Sequence, residues 1–228
     1  IAQRLRQAPP GAQRQLARAR ATLDRTRPLA RRILAQARAR IFRGDTRTPD
    51  KVLSLFEPHT EAIRKGKIVK PTEFGKLITI QEAEGQIISA YAVHARRPAD
   101  RTLWVTALDV HQQRFGRAPY LATADRGFSS AANEQAASAR GVRRVVLPKL
   151  GSKSPARRAH ERQRWFRRGT RWRVGSEGRI SVIKRRHGLH RCHYHGLDGM
   201  HRWVGLGVIA DNLLTIARTA RRPTAAVA

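Results

Sequence analysis

Two short apolar segments joined by a helical one constrain this chain more than any other feature. Residues 118–128 read Ala-Pro-Tyr-Leu-Ala-Thr-Ala-Asp-Arg-Gly-Phe, a strand that ends on Asp125 and enters a glycine turn. Ser130 to Ala139 has the composition of a helix, and Gly141 leads into a second short strand, Arg144-Val145-Val146-Leu147-Pro148. A strand, a helix and a strand in this order imply parallel pairing with a right-handed crossover. Upstream, Phe74–Gln81 and Gln86–Ala95 alternate as the strands of a hairpin, with its turn at Glu82-Ala83-Glu84-Gly85. Arg101–Phe115 reads as a helix capped by Asp100 and stopped by Gly116. Hairpin, helix, strand, helix, strand is the order of a mixed α/β sheet with helices on its faces.

Residues 1–47 are different. They are rich in Ala, Arg and Gln, which favours helix, and Pro28 is expected to divide the run into two helices. The segment is either a solvated basic appendage or a DNA-contacting helical pair. Gly44 to Asp50 reads as a loop and a boundary. Residues 48–220 form the expected core, and 221–228 a tail.

The formal net charge of +31 over 228 residues decides the partner. Such an excess repels itself in a compact state unless a polyanion neutralises it, so nucleic acid is the expected ligand. No apolar run reaches the roughly 18 residues of a membrane span. One cysteine, Cys192, excludes an internal disulfide framework and fits a reducing cytoplasm. Nothing points to a small-molecule substrate.

Only 16 acids are present, so each can be placed. Most fall in the basic segment, the hairpin turn or helix surfaces. Asp125 stands apart, at the carboxyl end of a sheet strand, where open α/β sheets place ligand sites. The plain alternative is a turn-forming Asp before Arg-Gly. Glu177 lies in Arg171–Leu189 among arginines, in what reads as a loop opening a helix at Gly175-Ser176. It is either an ion-pair partner for its basic neighbours or an acid that holds a metal beside a polyanion. Acids from a strand end and a helix can hold two divalent ions about 3.5 to 4 Å apart for in-line phosphoryl transfer. Arg173, about one turn before Glu177, and Lys184, about two turns after it, can then grip flanking phosphates.

Cys192 with His187, His190, His193, His195 and His201 lacks the fixed ligand spacing of a structural zinc site, and a phosphate-contacting loop is the simpler reading. Trp165, Trp172 and Trp203 are candidates for stacking on unpaired bases, although Trp203 adjoins the apolar last helix.

On Lys65-Gly66-Lys67 with Glu73-Phe74-Gly75-Lys76, on Thr123–Phe128, on the Glu177 stretch and on Ala210–Leu214, the chain resembles DDE transposases of bacterial insertion sequences. The resemblance spans roughly Val52 to Arg218. It implies an RNase H-like core and two Mg²⁺ or Mn²⁺ ions. Asp125 matches the family's second catalytic acid and Glu177 its third. Three residues separate Arg173 from Glu177 and six separate Glu177 from Lys184, as in the family; Thr170 stands where a Tyr is usual. Arg126, Arg173, Arg179, Lys184, Arg185 and Arg186 are the implied contacts to double-stranded DNA. The first acid and its strand are expected upstream of Ile1, which would leave this chain alone inactive. A homodimer and a bacterial cytoplasmic, nucleoid-associated setting are further expectations. The competing function is a non-catalytic basic DNA- or RNA-binding protein.

Overall fold

The computed structural model describes residues 9–64 and 72–220, with Arg64, Asp100 and Glu177 described by backbone alone. Lys65-Gly66-Lys67 and the tail from 221 lie outside the described residues. The chain divides into two compact units, residues 1–76 and 77–228.

In the first unit, α1 (Pro10–Arg43) is one continuous helix of 34 residues. Pro28 does not divide it, contrary to the two helices expected. A proline removes one hydrogen bond of the ladder, and the Ala-, Leu- and Arg-rich turns on both sides carry the helix through. Gly44, at φ 65°, ends it with its amide on the Ala39 carbonyl. The Gln36 side chain pairs with the Val52 backbone in both directions, at 2.8 and 3.2 Å. Strands β1 (Glu61–Arg64) and β2 (Thr72–Gly75) pair antiparallel. Phe74 therefore belongs to this ladder and not to the later hairpin. Lys76 is buried with its ammonium 3.4 Å from Glu61.

The second unit holds two small cores. The hairpin forms as expected in type, from β3 (Ile78–Ala83) and β4 (Ile87–Val93), with a bulge between Gln81 and Glu82. That bulge places Glu82 on the strand rather than in the turn. The βαβ unit also forms: β5 (Leu121–Thr123) and β6 (Arg144–Val146) pair in parallel around α3 (Ala131–Ala139). Helix α2 (Asp100–Phe115) begins one residue earlier than expected, with Ala99 at the cap position, and stops at left-handed Gly116. Trp104, Leu108, Ala122, Ala137, Val142 and Leu147 form the core of this half. The other half buries Ile88, Ile183, Val204 and Val208 between β4, α5 (Arg164–Arg186) and α6 (Gly196–Ala220).

Among the described residues the single mixed sheet expected from the element order is not formed. The described strands make three separate two-stranded sheets. The Asn212 side chain accepts from the Ile88 amide at 2.8 Å and donates to its carbonyl at 2.9 Å. An amide group from α6 thus satisfies backbone groups on β4 that a neighbouring strand would otherwise pair.

Helix α5 ties the two halves together. After the short α4 (Pro155–Arg162) it begins at Arg164, so Gly175 and Ser176 lie inside a helix and do not open one. Its first half seats on β6 at Gly169, where an added Cβ would stand 2.7 Å from Val146 Cγ2. Its second half reaches the other core through buried Ile183.

Candidate active site

Thr123 ends β5 with its hydroxyl donating to the Val146 carbonyl at 3.0 Å, locking the carboxyl ends of the parallel strands together. Two residues on, Asp125 is extended (φ −63°, ψ 160°) and opens a single 3₁₀ turn over Arg126–Phe128. That turn closes on the Asp125 backbone: the Phe128 amide donates to the Asp125 carbonyl at 2.9 Å. The carboxylate makes no capping bond to it. The turn-forming role open to this Asp is thus met by the main chain, and the acid points elsewhere.

It meets Arg173 of α5, whose guanidinium forms an ion pair with the Asp125 carboxylate. Asp125 is more than half exposed and Arg173 one-fifth. Phe166, Gly169 and Arg173 advance by three and four residues and so share the face that α5 turns to this half. Glu177 is four residues beyond Arg173 and follows it on that face, about 6 Å along the axis. The structure therefore brings the strand-end acid to the helix that carries Glu177. Glycines at 175 and 178 flank that position.

The basic residues separate into two groups. Arg126, beside Asp125, and Lys184, Arg185 and Arg186, at the end of α5, are exposed. Cations in a last helical turn also complement the negative end of the helix dipole. Arg179 is turned inward, its side chain 10% exposed. It donates to Asp211 at 2.9 Å, Thr215 at 3.3 Å and Gln86 at 2.6 Å, and lies 3.8 Å from Glu82. His187 Nε2 lies 3.3 Å from the other Asp211 oxygen.

This cluster was not legible as a unit, because Glu82 reads as a turn residue. The one sequence signal is Asp211, an acid in an otherwise apolar stretch of α6. Burial raises the Glu82 pKa; Arg179 opposes that rise and Asp211 adds to it. Gln86 holds a positive φ of 65°, a costly conformation for a residue with a Cβ, and its side chain is fixed by Arg179.

The His/Cys stretch is dispersed. His190 lies 3.1 Å from the Lys184 carbonyl, Cys192 donates to the Tyr194 carbonyl at 3.2 Å, and the His193 and His201 rings pack on Trp203 and Tyr91. Among the described residues no three His, Cys, Asp or Glu side chains come together as a metal-binding group. Trp165 lies under Arg144, which also covers Tyr120. No described helix is long and apolar enough to cross a membrane.

Residues 133–217 match a family model described as the transposase DDE domain. That segment is similar to the DDE domain of transposases. It contains α5 with Arg173 and Glu177, and most of α6 with Asp211 and Asn212; Asp125 lies just before it. No curated protein and no solved structure matches the chain. The matched segment begins within α3 and takes in β6, α4, α5 and most of α6.

Proposed function

We propose that the chain acts on double-stranded DNA as a divalent-metal-dependent transposase with an RNase H-like core, cutting at the ends of an insertion sequence and joining the 3′-hydroxyls to target DNA. The observation that carries this reading is the Asp125–Arg173 ion pair, which ties the strand-end carboxylate to the transposase helix one turn from Glu177. A strand-end Asp free of its own turn, beside a helix bearing a second acid, is a hard-oxygen donor set of the kind Mg²⁺ and Mn²⁺ take. Asp125 and Glu177 would hold the metal, which when bound neutralises a scissile phosphate and activates a water or 3′-hydroxyl.

The chain's own residues do the remaining work. Arg173 neutralises and orients the Asp125 carboxylate, and its guanidinium is the cation nearest the acid for gripping a phosphate. Arg126, Lys184, Arg185 and Arg186 supply exposed charge for the duplex backbone. Arg179 is spent on the interior and holds α5 against α6 and the hairpin.

Duplex affinity with and without Mn²⁺ tests the reading. Mn²⁺ should tighten binding by wild type, and Asp125→Ala or Glu177→Ala should remove that gain while leaving salt-sensitive binding. A purely basic binding protein would show no metal effect and would gain affinity on losing either acid.

A further inference from the structure

A buried asparagine stands behind the turn that carries Asp125. Asn133, the third residue of α3, is 6% exposed beside Trp104. Its main chain makes ordinary bonds: the amide donates to the Ser130 hydroxyl at 3.1 Å, and the carbonyl accepts from the Trp104 indole at 2.9 Å. The side chain does something no apolar residue could do there. Its Nδ2 donates to the Phe128 carbonyl at 2.8 Å and to the Arg101 carbonyl at 3.2 Å. Both acceptors are carbonyls, so the site asks for a side-chain NH₂ group with its pair of donors. An Asp of the same shape, ionised, has none to offer.

Phe128 closes the turn that Asp125 opens. Its amide donates to the Asp125 carbonyl at 2.9 Å, and its ring packs edge-on against Trp104, with centroids 6.4 Å apart. On the other side of the acid, Thr123 is fixed to the Val146 carbonyl. Asp125 therefore lies on a short span, residues 124–127, between two anchored points. Asn133 supplies the side-chain anchor at the second. The main chain of the acid is thus constrained from both sides, while its carboxylate stays more than half exposed.

A buried amide costs stability wherever its donors go unused. Here both donors are used, and they reach two segments outside α3. We infer that Asn133 is a positioning residue for Asp125: it holds the end of the turn so that the carboxylate is presented to α5, where a metal would be held. The inference rests on the reading of Asp125 as a metal ligand. Removing the groups that orient a ligating side chain costs about 10- to 100-fold in metal affinity.

Asn133→Ala and Asn133→Asp, set against Val142→Ala, separate positioning from general stability. Val142 is buried in the same core, past the other end of α3, and its truncation leaves the side-chain bonds of Asn133 in place. Native-state hydrogen exchange at the Phe128 amide should quicken several-fold in both Asn133 variants and keep its wild-type rate in Val142→Ala. Titration of the full chain with Mn²⁺ should give a dissociation constant raised at least about 10-fold by Asn133→Ala and unmoved by Val142→Ala. If Asn133→Asp does not fold, Asn133→Ala, which introduces a strong helix former, carries the comparison. Phe128 exchange in Asn133→Ala equal to that of wild type, or an Mn²⁺ affinity lowered as much by Val142→Ala as by Asn133→Ala, would overturn the proposal. Wild type that binds no Mn²⁺, while Phe128 exchange responds as expected, would refute the metal reading of Asp125 and uphold the anchoring of its turn.

Discussion

The Arg173 guanidinium and the Asp125 carboxylate form an ion pair that joins the end of β5 to the middle of α5. Removing the cation and removing the acid should therefore act in opposite directions. Arg173→Ala frees Asp125 for a metal and should strengthen Mn²⁺ binding several-fold while weakening duplex binding. Asp125→Ala should abolish the metal response. Isothermal titration of both variants reads this directly, and a loss of Mn²⁺ affinity in Arg173→Ala would count against the metal role of Asp125.

Gly169 marks the closest seating of α5 on β6. Gly169→Ala would place a Cβ 2.7 Å from Val146 Cγ2 and should destabilise the fold by about 1 to 3 kcal/mol through overpacking. Val146→Ala should restore part of that loss. Urea unfolding of the two single variants and the double variant measures the coupling, and additive losses would contradict the contact.

Arg179 balances buried Asp211 and Glu82. Arg179→Met leaves those acids without their cation and should cost about 3 to 5 kcal/mol. Conversion of Asp211 to Asn in the same background should recover much of it. If Arg179→Met instead leaves stability intact and lowers DNA affinity alone, Arg179 is a DNA contact as its sequence context implied.

Much of this was legible before the structure. The hairpin and the parallel βαβ unit follow from local pattern: alternation in Ile78–Ile80 and Ile87–Val93, and two apolar triplets around a helical run. Asp125 was singled out because a strand end is a definite place in a sheet. What escaped depended on contacts across long sequence separations. Glu82 reads as a turn residue until a bulge moves it onto β3. Arg179 reads like every other arginine until Asp211, 32 residues on, draws it inward. The loop expected at Gly175-Ser176 failed for a related reason: packing at Gly169 and Ile183 on either side holds the helix through residues of low propensity.

Asn212 should matter far more than its polar character in an apolar helix implies. Asn212→Ala would leave the Ile88 amide and carbonyl without these partners, at about 1 to 3 kcal/mol for each group that stays dry. Hydrogen exchange at Ile88 should accelerate in step with that loss, and unchanged protection would contradict the pairing.

Glu161 gives the acid limit of stability. Burial opposes its charge, but Lys153, the Lys149 amide and Arg157 outweigh burial and hold its pKa at about 2. A folded pKa below the unfolded value adds stability above the unfolded pKa, and that stability is lost as pH falls towards about 2. Glu161→Gln should flatten the stability profile between pH 4.5 and about 2, measured by thermal unfolding across that range. A profile as steep as that of wild type would assign the acid sensitivity elsewhere.

The most direct test of the central claim is Mn²⁺ binding followed by electron paramagnetic resonance on wild type, Asp125→Ala and Glu177→Ala. The account predicts saturable binding by wild type, lost in both variants, with near-wild-type unfolding curves. Wild-type protein that leaves the Mn²⁺ signal unchanged, or variants that bind as wild type does, would show that these two acids do not form a metal site.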